Sequence, residues 1–186
     1  PNNPTGKIYS NEELQIIFNL VKKNQSWLIL DLIYEDLNYL NKKLNYFSKI
    51  FKYNKLVVVS GFSKSYAMTG WRIGYAAGPK EIIAAIRKIQ SQSTSNPSSI
   101  SQAAAVEALN GQQDFISERA EAFKERRDFV VSNLNDIKGI KCLTPNGAFY
   151  VFPSCKGLLN KKTKLKTDTE FVQKLLEESM VAVVQG

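Results

Sequence analysis

The sequence contains no histidine, only two cysteines and no long hydrophobic run. Without histidine, a Ser-His-Asp triad is excluded, and any proton transfer must use Lys, Asp, Glu, Tyr or Cys. Cys142 and Cys155 are too few for a disulfide framework, and they suit a reducing cytoplasm. No apolar segment reaches the length of a membrane span. We therefore expect a cytoplasmic protein whose chemistry does not depend on histidine, with no membrane contact and no metal site.

The charge of the chain is strongly basic, with 25 Lys and Arg against 17 Asp and Glu and a formal net charge of +8. Such an excess can indicate a nucleic-acid surface. However, the lysines are scattered, and the densest cluster, residues 161–166, falls between predicted structured segments. A solvated loop explains that cluster, so we predict no nucleic-acid partner.

The segment from Ser60 to Gly74 carries the chemistry of the chain. The apolar run Leu56–Val59 predicts a buried strand that leads into it. Lys64 then follows a Ser-Gly turn, and Arg72 comes eight residues later. A desolvated lysine can form a Schiff base, while an arginine, serine hydroxyls and backbone N–H groups can hold a phosphate. This combination suggests pyridoxal phosphate, and the alternative is an ordinary pair of surface cations.

The order of residues in this segment resembles a known signature. Gly61-Phe62-Ser63-Lys64, followed by Ala67, Gly70, Arg72, Ile73 and Gly74, is similar to the lysine-attachment motif of class I aminotransferases, which are fold-type I pyridoxal-phosphate enzymes. The stretch 69–75 resembles most the bacterial aspartate aminotransferase branch. The resemblance implies that Lys64 holds the cofactor as a Schiff base. It also implies that Arg72, with Ser63 or Ser60, holds the phosphate.

Two further segments resemble the same family. Residues 1–6 read as a turn and match its Asn-Pro-Thr-Gly loop, which implies that Asn3 bonds the phenolic oxygen of the cofactor beside the substrate carboxylate. Asp31 follows the predicted strand Trp27–Leu30 and begins an Asp-x-x-Tyr element. That element implies that Asp31 faces the pyridine nitrogen and that Tyr34 donates to the ring oxygen. Asp31 as a helix cap or turn residue, and residues 1–6 as an ordinary loop, are the alternatives.

The remaining chain alternates helical and strand patterns, which predicts a layered α/β domain. A capping box at Ser10 starts the first helix, and Ile82, Ile83, Ile86 and Ile89 are expected to face inward on a later one. Asp168 is expected to cap the last helix. The predicted helices are residues 10–23, 80–90, 100–109, 115–134 and 168–180, with a short one around 47–51; the further predicted strands are 75–77, 141–143, 148–152 and 181–184.

The resemblance implies a three-layer fold-type I transferase architecture of which this chain holds only part. Residues 1–98 would belong to the large cofactor-binding domain, 99–135 would be connecting helices, and 136–186 would be part of a smaller α+β C-terminal domain. Relatives carry a long preceding portion and a later arginine that binds the substrate α-carboxylate. The chain therefore looks like a fragment, and we expect the 186 residues alone to be inactive.

The resemblance implies an aminotransferase that moves an amino group between an L-amino acid, aspartate, and a 2-oxo acid, 2-oxoglutarate. It implies a homodimer in which the Ser95–Pro97 stretch reaches the partner's cofactor phosphate. Some relatives select dicarboxylates with an arginine near Ser91, and this sequence has none there. Two alternatives use the same features, namely a pyridoxal-phosphate-dependent amino-acid lyase and a non-enzymatic regulator that senses the cofactor or an amino acid.

Overall fold

The computed structural model describes residues 1–40 and 50–186. Over these residues, α-helices and short strands alternate in the first half, and helices dominate the second half, so the chain is of the α/β class. The helices are α1 (Asn11–Lys23), α2 (Lys80–Ser93), α3 (Ser99–Asn110), α4 (Asp114–Asp136) and α5 (Asp168–Ser179). The strands are β1 (Leu28–Asp31), β2 (Leu56–Gly61) and β3 (Gly74–Ala77), and short 3₁₀ turns cover Thr69–Trp71 and Lys156–Leu158.

In the described residues, the three strands form one sheet in the order β1-β2-β3. β1 and β2 run parallel, with Leu28 opposite Leu56 and Asp31 opposite Val59. β3 runs antiparallel to β2. Because parallel strands present their carboxyl ends at the same edge, Asp31 and the segment that follows β2 come to one edge of the sheet.

The capping box predicted at the start of α1 is confirmed. The Ser10 hydroxyl accepts a hydrogen bond from the Glu13 backbone N–H at 3.2 Å, and the Glu13 carboxylate accepts one from the Ser10 N–H at 2.8 Å. Lys7 adds an ion pair to Glu13 at 2.6 Å. The cap satisfies backbone donors that a helix start would otherwise leave without partners.

The helices predicted over residues 80–90, 100–109, 115–134 and 168–180 are confirmed, but the cap assigned to the last one is wrong by one residue. Thr167 is the cap of α5, because its Oγ1 accepts a hydrogen bond from the Glu170 N–H at 3.2 Å. Asp168 is the first residue of the helix, where a carboxylate is favoured by the helix dipole. Both residue types suit a cap, so the sequence alone does not decide between neighbours.

Three predicted strands are wrong. In residues 136–186, all of which the structure describes, β-type pairing is limited to two isolated bridges, Lys141 with Ser154 and Gly147 with Asn38, and residues 181–184 have no strand partner. The predicted strand over 148–152 is interrupted at its start, because Ala148 has a left-handed φ of 58°. Its N–H instead donates to the carbonyl of Leu37. The short helix predicted around 47–51 lies largely outside the described residues.

In the part of the chain that the structure describes, most of the buried apolar side chains belong to three clusters. One lies between α1 and the sheet, around Phe18, Ile50 and Leu56. A second joins Tyr34 and Leu37 to Ala148. A third packs the residues after β2 against α3, and its buried members are Phe62, Met68 and Ala105.

The inward face predicted for α2 is only partly formed. Ile82 and Ile83 are half-buried, whereas Ile86 is 39% and Ile89 71% exposed. The prediction is therefore wrong for the last two residues, since the described elements offer no surface that covers them. Among residues 1–40 and 50–186, no helix combines the length and apolar character needed to cross a membrane.

Candidate functional site

A cavity at the carboxyl edge of the sheet brings together three of the predicted site residues. Asn3, Asp31 and Tyr34 all line this cavity of about 380 Å³, together with apolar residues of β1 and α1. Asn3 lies in the loop formed by residues 1–6. The Gly6 N–H donates a hydrogen bond to the Asn2 carbonyl at 2.8 Å and closes this loop. Asp31 and Tyr34 come from the end of β1 and the turn after it. The cavity thus presents an amide, a carboxylate and a phenol to one space.

The Asp31 carboxylate is exposed at the end of β1 and takes part in the local turn. Its Oδ1 accepts a hydrogen bond from the Ile33 N–H at 3.0 Å. The turn role that the sequence left open is therefore observed. It engages one of the two carboxylate oxygens, so it is compatible with a second role for the same side chain.

Lys64 lies in the loop that follows β2. The Phe62 carbonyl accepts bonds from the N–H groups of Tyr66 and Met68, and the Lys64 carbonyl accepts one from Ala67. These bonds fold the loop into successive turns and leave Lys64 half-buried. Its Nζ lies 5.7 Å from the centroid of the Tyr34 ring and 5.2 Å from that of Phe149. Two aromatic faces at these distances attract a cation and partly shield it from water.

Tyr34 connects the cavity to Lys64. It is 7% exposed, and its hydroxyl oxygen lies 2.5 Å from that of Tyr150, a hydrogen bond in which either hydroxyl can donate. Burial, and then the hydrogen bond to Tyr150, raises the pKa of the Tyr34 phenol well above its usual value of 10.0. At neutral pH Tyr34 therefore keeps its proton and can donate it in a hydrogen bond.

Sequence reasoning did not include Phe149 and Tyr150 among the site residues. The sequence predicts a strand over residues 148–152 in the smaller C-terminal domain, which gives these two side chains no role in the site. In the structure, the Tyr34 ring packs edge-on against both rings, with centroid distances of 5.5 Å to Phe149 and 5.6 Å to Tyr150. No local pattern in the sequence indicates a contact between residues so far apart.

The structure places the predicted phosphate ligands near the same loop but does not join them to the cavity. Ser60 is in β2 opposite Tyr75, and Ser63 is half-buried in the loop after it. Arg72 follows the Thr69–Trp71 turn with a left-handed φ of 51°, and its Nη1 donates to the Thr69 carbonyl at 2.8 Å. All three residues lie in or next to the segment from Ser60 to Gly74, and their role in holding a phosphate stays a prediction.

The donor set at this edge fits a cofactor that carries an aldehyde, a phenolic oxygen and a basic ring nitrogen. A lysine amine can condense with the aldehyde, a neutral phenol and an amide can donate to the oxygen, and a carboxylate can face the nitrogen. In the described residues, no group of three or more His, Cys, Asp or Glu side chains is arranged to hold a metal ion.

Comparisons with known proteins identify the family of the chain. The model of the class I and II aminotransferase family matches residues 1–186. The probable aspartate/prephenate aminotransferase of Rhizobium leguminosarum bv. phaseoli is 50% identical over 100% of this chain and 48% of its own length. The crystal structure of the aspartate aminotransferase from Rhizobium meliloti superposes with a TM-score of 0.89 and 48% identity, over 99% of this chain and 48% of that one. The aromatic aminotransferase from Pyrococcus horikoshii OT3 superposes with a TM-score of 0.86 and 33% identity, over 100% of this chain and 48% of that one.

The chain belongs to the class I and II aminotransferase family. Its α/β fold matches part of the fold-type I architecture of those structures. The chain spans about half the length of the curated relatives it matches.

Proposed function

We propose that the protein containing this chain is a pyridoxal-phosphate-dependent aminotransferase. The observation that carries the proposal is the position of Lys64, whose amine lies beside the ring of Tyr34 while Tyr34 lines a cavity with Asp31 and Asn3. An amine, a phenol, a carboxylate and an amide are the groups that this cofactor needs around its reactive end. Family membership supports the same conclusion.

Each side chain has a specific task in this proposal. Bound pyridoxal phosphate supplies an aldehyde that condenses with amines and a ring that accepts electrons from the substrate α-carbon. The Lys64 amine anchors the cofactor and then moves a proton at that α-carbon. The Asp31 carboxylate keeps the ring nitrogen protonated. Tyr34 and Asn3 donate to the phenolic oxygen, Asn3 also lies beside the substrate carboxylate, and Arg72 with Ser60 or Ser63 holds the phosphate.

The proposed substrates are aspartate, as amino donor, and 2-oxoglutarate, as acceptor. The names of the Rhizobium relatives support aspartate, and the first of them also names prephenate, so prephenate is a second acceptor to assay. A structural neighbour named as an aromatic aminotransferase has a closely similar fold, so the fold itself does not select the substrate. The lyase and regulator alternatives are not favoured, because the relatives are named as aminotransferases.

The assembly and location of the protein are also proposals. We infer a cytoplasmic homodimer in which the Ser95 region reaches the partner's cofactor phosphate. Ser95 and Asn96 line an open cavity of about 600 Å³ together with Arg87 and Lys88, and this basic surface suits an anionic group. Residues 1–98 would form part of a large domain and 136–186 part of a small one, joined by helices between them.

Replacement of Lys64 tests the proposal. In the product of the complete gene, Lys64→Ala should abolish both the borohydride-reducible absorbance band of bound pyridoxal phosphate and transamination. Lys55→Ala is a matched control, because the Lys55 ammonium bonds the Gln25 carbonyl at 2.8 Å, outside this site. A band that survives in Lys64→Ala would show that another residue binds the cofactor. Keto-acid formation without an amino acceptor would instead identify a lyase.

A further inference from the structure

Tyr150 is the second hydroxyl at the candidate site, and the proposed function gives it no task. Its oxygen lies 2.5 Å from that of Tyr34, a residue 116 positions earlier in the chain. The two rings meet edge to face, at 5.6 Å between centroids and 78° between planes. Tyr34 is buried and Tyr150 is half-buried. A short hydrogen bond in such surroundings is stronger than the same bond in water.

Backbone hydrogen bonds to two other loops hold the segment that precedes Tyr150 in place. The N–H groups of Asn146 and Gly147 both donate to the Gly6 carbonyl at 3.0 Å. The Ala148 N–H donates to the Leu37 carbonyl at 2.8 Å. A Cβ on Gly147 would lie 2.4 Å from the Leu37 carbonyl oxygen, so only glycine permits this close approach. We call residues 146–148 the strap.

The strap is also held from the side of α4. The Arg127 guanidinium donates to the Pro145 carbonyl at 2.8 Å and stacks 4.8 Å from the centroid of the Tyr39 ring. The Tyr39 hydroxyl in turn donates to the Ala148 carbonyl. Tyr150 is therefore presented to Tyr34 by a segment that is anchored to three separate parts of the chain.

We propose that Tyr150 is a positioning residue that holds the Tyr34 hydroxyl in the orientation needed for chemistry at Lys64. This inference rests on the proposed function. A bond between two hydroxyls uses one hydrogen and leaves the other free. When Tyr150 donates to Tyr34, the hydrogen of Tyr34 is available to the phenolic oxygen of the cofactor. Without Tyr150, the Tyr34 hydroxyl can rotate freely about its C–O bond. The orientation in which its hydrogen points to the phenolic oxygen of the cofactor is then populated less often.

A double-mutant cycle tests whether Tyr150 acts through Tyr34. In the complete gene product loaded with cofactor, we expect Tyr150→Phe to lower kcat by about threefold to tenfold with little change in KM. Because the effect passes through Tyr34, adding Tyr150→Phe to Tyr34→Phe should cause no further loss. Tyr53→Phe is the matched control, since it removes a hydroxyl that bonds the Ser26 carbonyl at 2.8 Å, away from the site.

A second measurement does not depend on activity. In the cofactor-free protein with ring-labelled tyrosine, NMR titration should show that Tyr150→Phe shifts the titration midpoint of Tyr34, because the hydrogen bond between the two hydroxyls changes the relative stability of the Tyr34 phenol and phenolate. A role limited to packing would leave that midpoint unchanged, because phenylalanine keeps the ring.

The inference is overturned by wild-type kcat in Tyr150→Phe, by additive losses in the double variant, or by an unchanged Tyr34 midpoint. These outcomes are separable from failure of the proposed function. If Lys64→Ala abolishes cofactor binding while Tyr150→Phe behaves as wild type, the aminotransferase proposal stands and the role of Tyr150 does not.

Discussion

At the scale of single residues, Tyr34 is the point where the parts of the candidate site meet. Its ring faces the Lys64 amine, it lines the cavity that Asp31 enters, and its hydroxyl contacts Tyr150. The resemblance of the Asp-x-x-Tyr element to that of class I aminotransferases predicted two of these residues, Asp31 and Tyr34, as site residues. Tyr150 could not be found in the same way, because its contact depends on the path of the chain.

Burial of the Tyr34 phenol predicts a loss of stability in alkaline solution. Its raised pKa means that the folded state holds this proton more tightly than the unfolded state does. The resulting stabilisation is fully present below about pH 10 and is lost as the pH rises above that value. We therefore expect the free energy of unfolding to fall less steeply above about pH 10 in Tyr34→Phe than in the wild type.

Urea unfolding of both proteins between about pH 8 and pH 11 measures this slope. The slope should shrink without vanishing, because burial also raises the pKa values of Tyr39 and Tyr66. Identical slopes in the two proteins above pH 10 would contradict the prediction, whatever the difference in stability at neutral pH.

At the scale of elements, helix starts were predicted well because their signals are local. The capping box of α1 was readable from Ser10 and Glu13, three residues apart, and its two hydrogen bonds are observed. The cap of α5 was assigned one residue late because Thr167 and Asp168 are both suitable residues. The strands predicted after residue 136 were wrong, because a short apolar run does not specify a strand partner. In residues 148–152, for example, Phe149 and Tyr150 pack against the distant Tyr34 instead.

The cap of α1 gives a stability prediction with an internal control. Ser10→Ala should lower the free energy of unfolding by about 1 kcal/mol, because the Glu13 N–H loses its side-chain acceptor. Ser98→Ala is the matched control at the start of α3, where the serine makes no side-chain cap bond. Denaturant unfolding of both variants measures the difference. Equal losses in the two variants would show that the Ser10 hydroxyl contributes nothing specific.

At the scale of the whole molecule, the described surface exposes many large apolar side chains. Ile89 on α2 and Ile100 on α3 are each 71% exposed, and Val184 is 87% exposed. Large exposed aliphatic side chains in such number are typical of surfaces that associate with other protein. The 186-residue chain, with part of the family fold, therefore presents surface that the described elements do not cover.

This surface predicts that the 186-residue chain associates with itself when produced alone. Ile89→Lys should reduce that association, because a charge replaces an exposed apolar side chain. Gln92→Lys, one turn further along α2, adds the same charge at an exposed polar position and should have a smaller effect. Sedimentation velocity measures the fraction of monomer. The same monomer fraction in both variants would assign the effect to net charge rather than to the apolar face.

The sequence by itself determined the order of helices and strands in the first half, the capping of α1, the Lys64 loop and the Asp-x-x-Tyr turn. These features depend on backbone preferences and hydrogen bonds over a few residues, which a linear pattern records. Only the tertiary structure decided that residues 146–148 lie between the Gly6 and Leu37 loops, so that Phe149 faces Lys64 and Tyr150 bonds Tyr34. Those contacts join segments that are 85 or more positions apart in the sequence, the smallest separation being that of Lys64 and Phe149, and packing of the folded chain selects them.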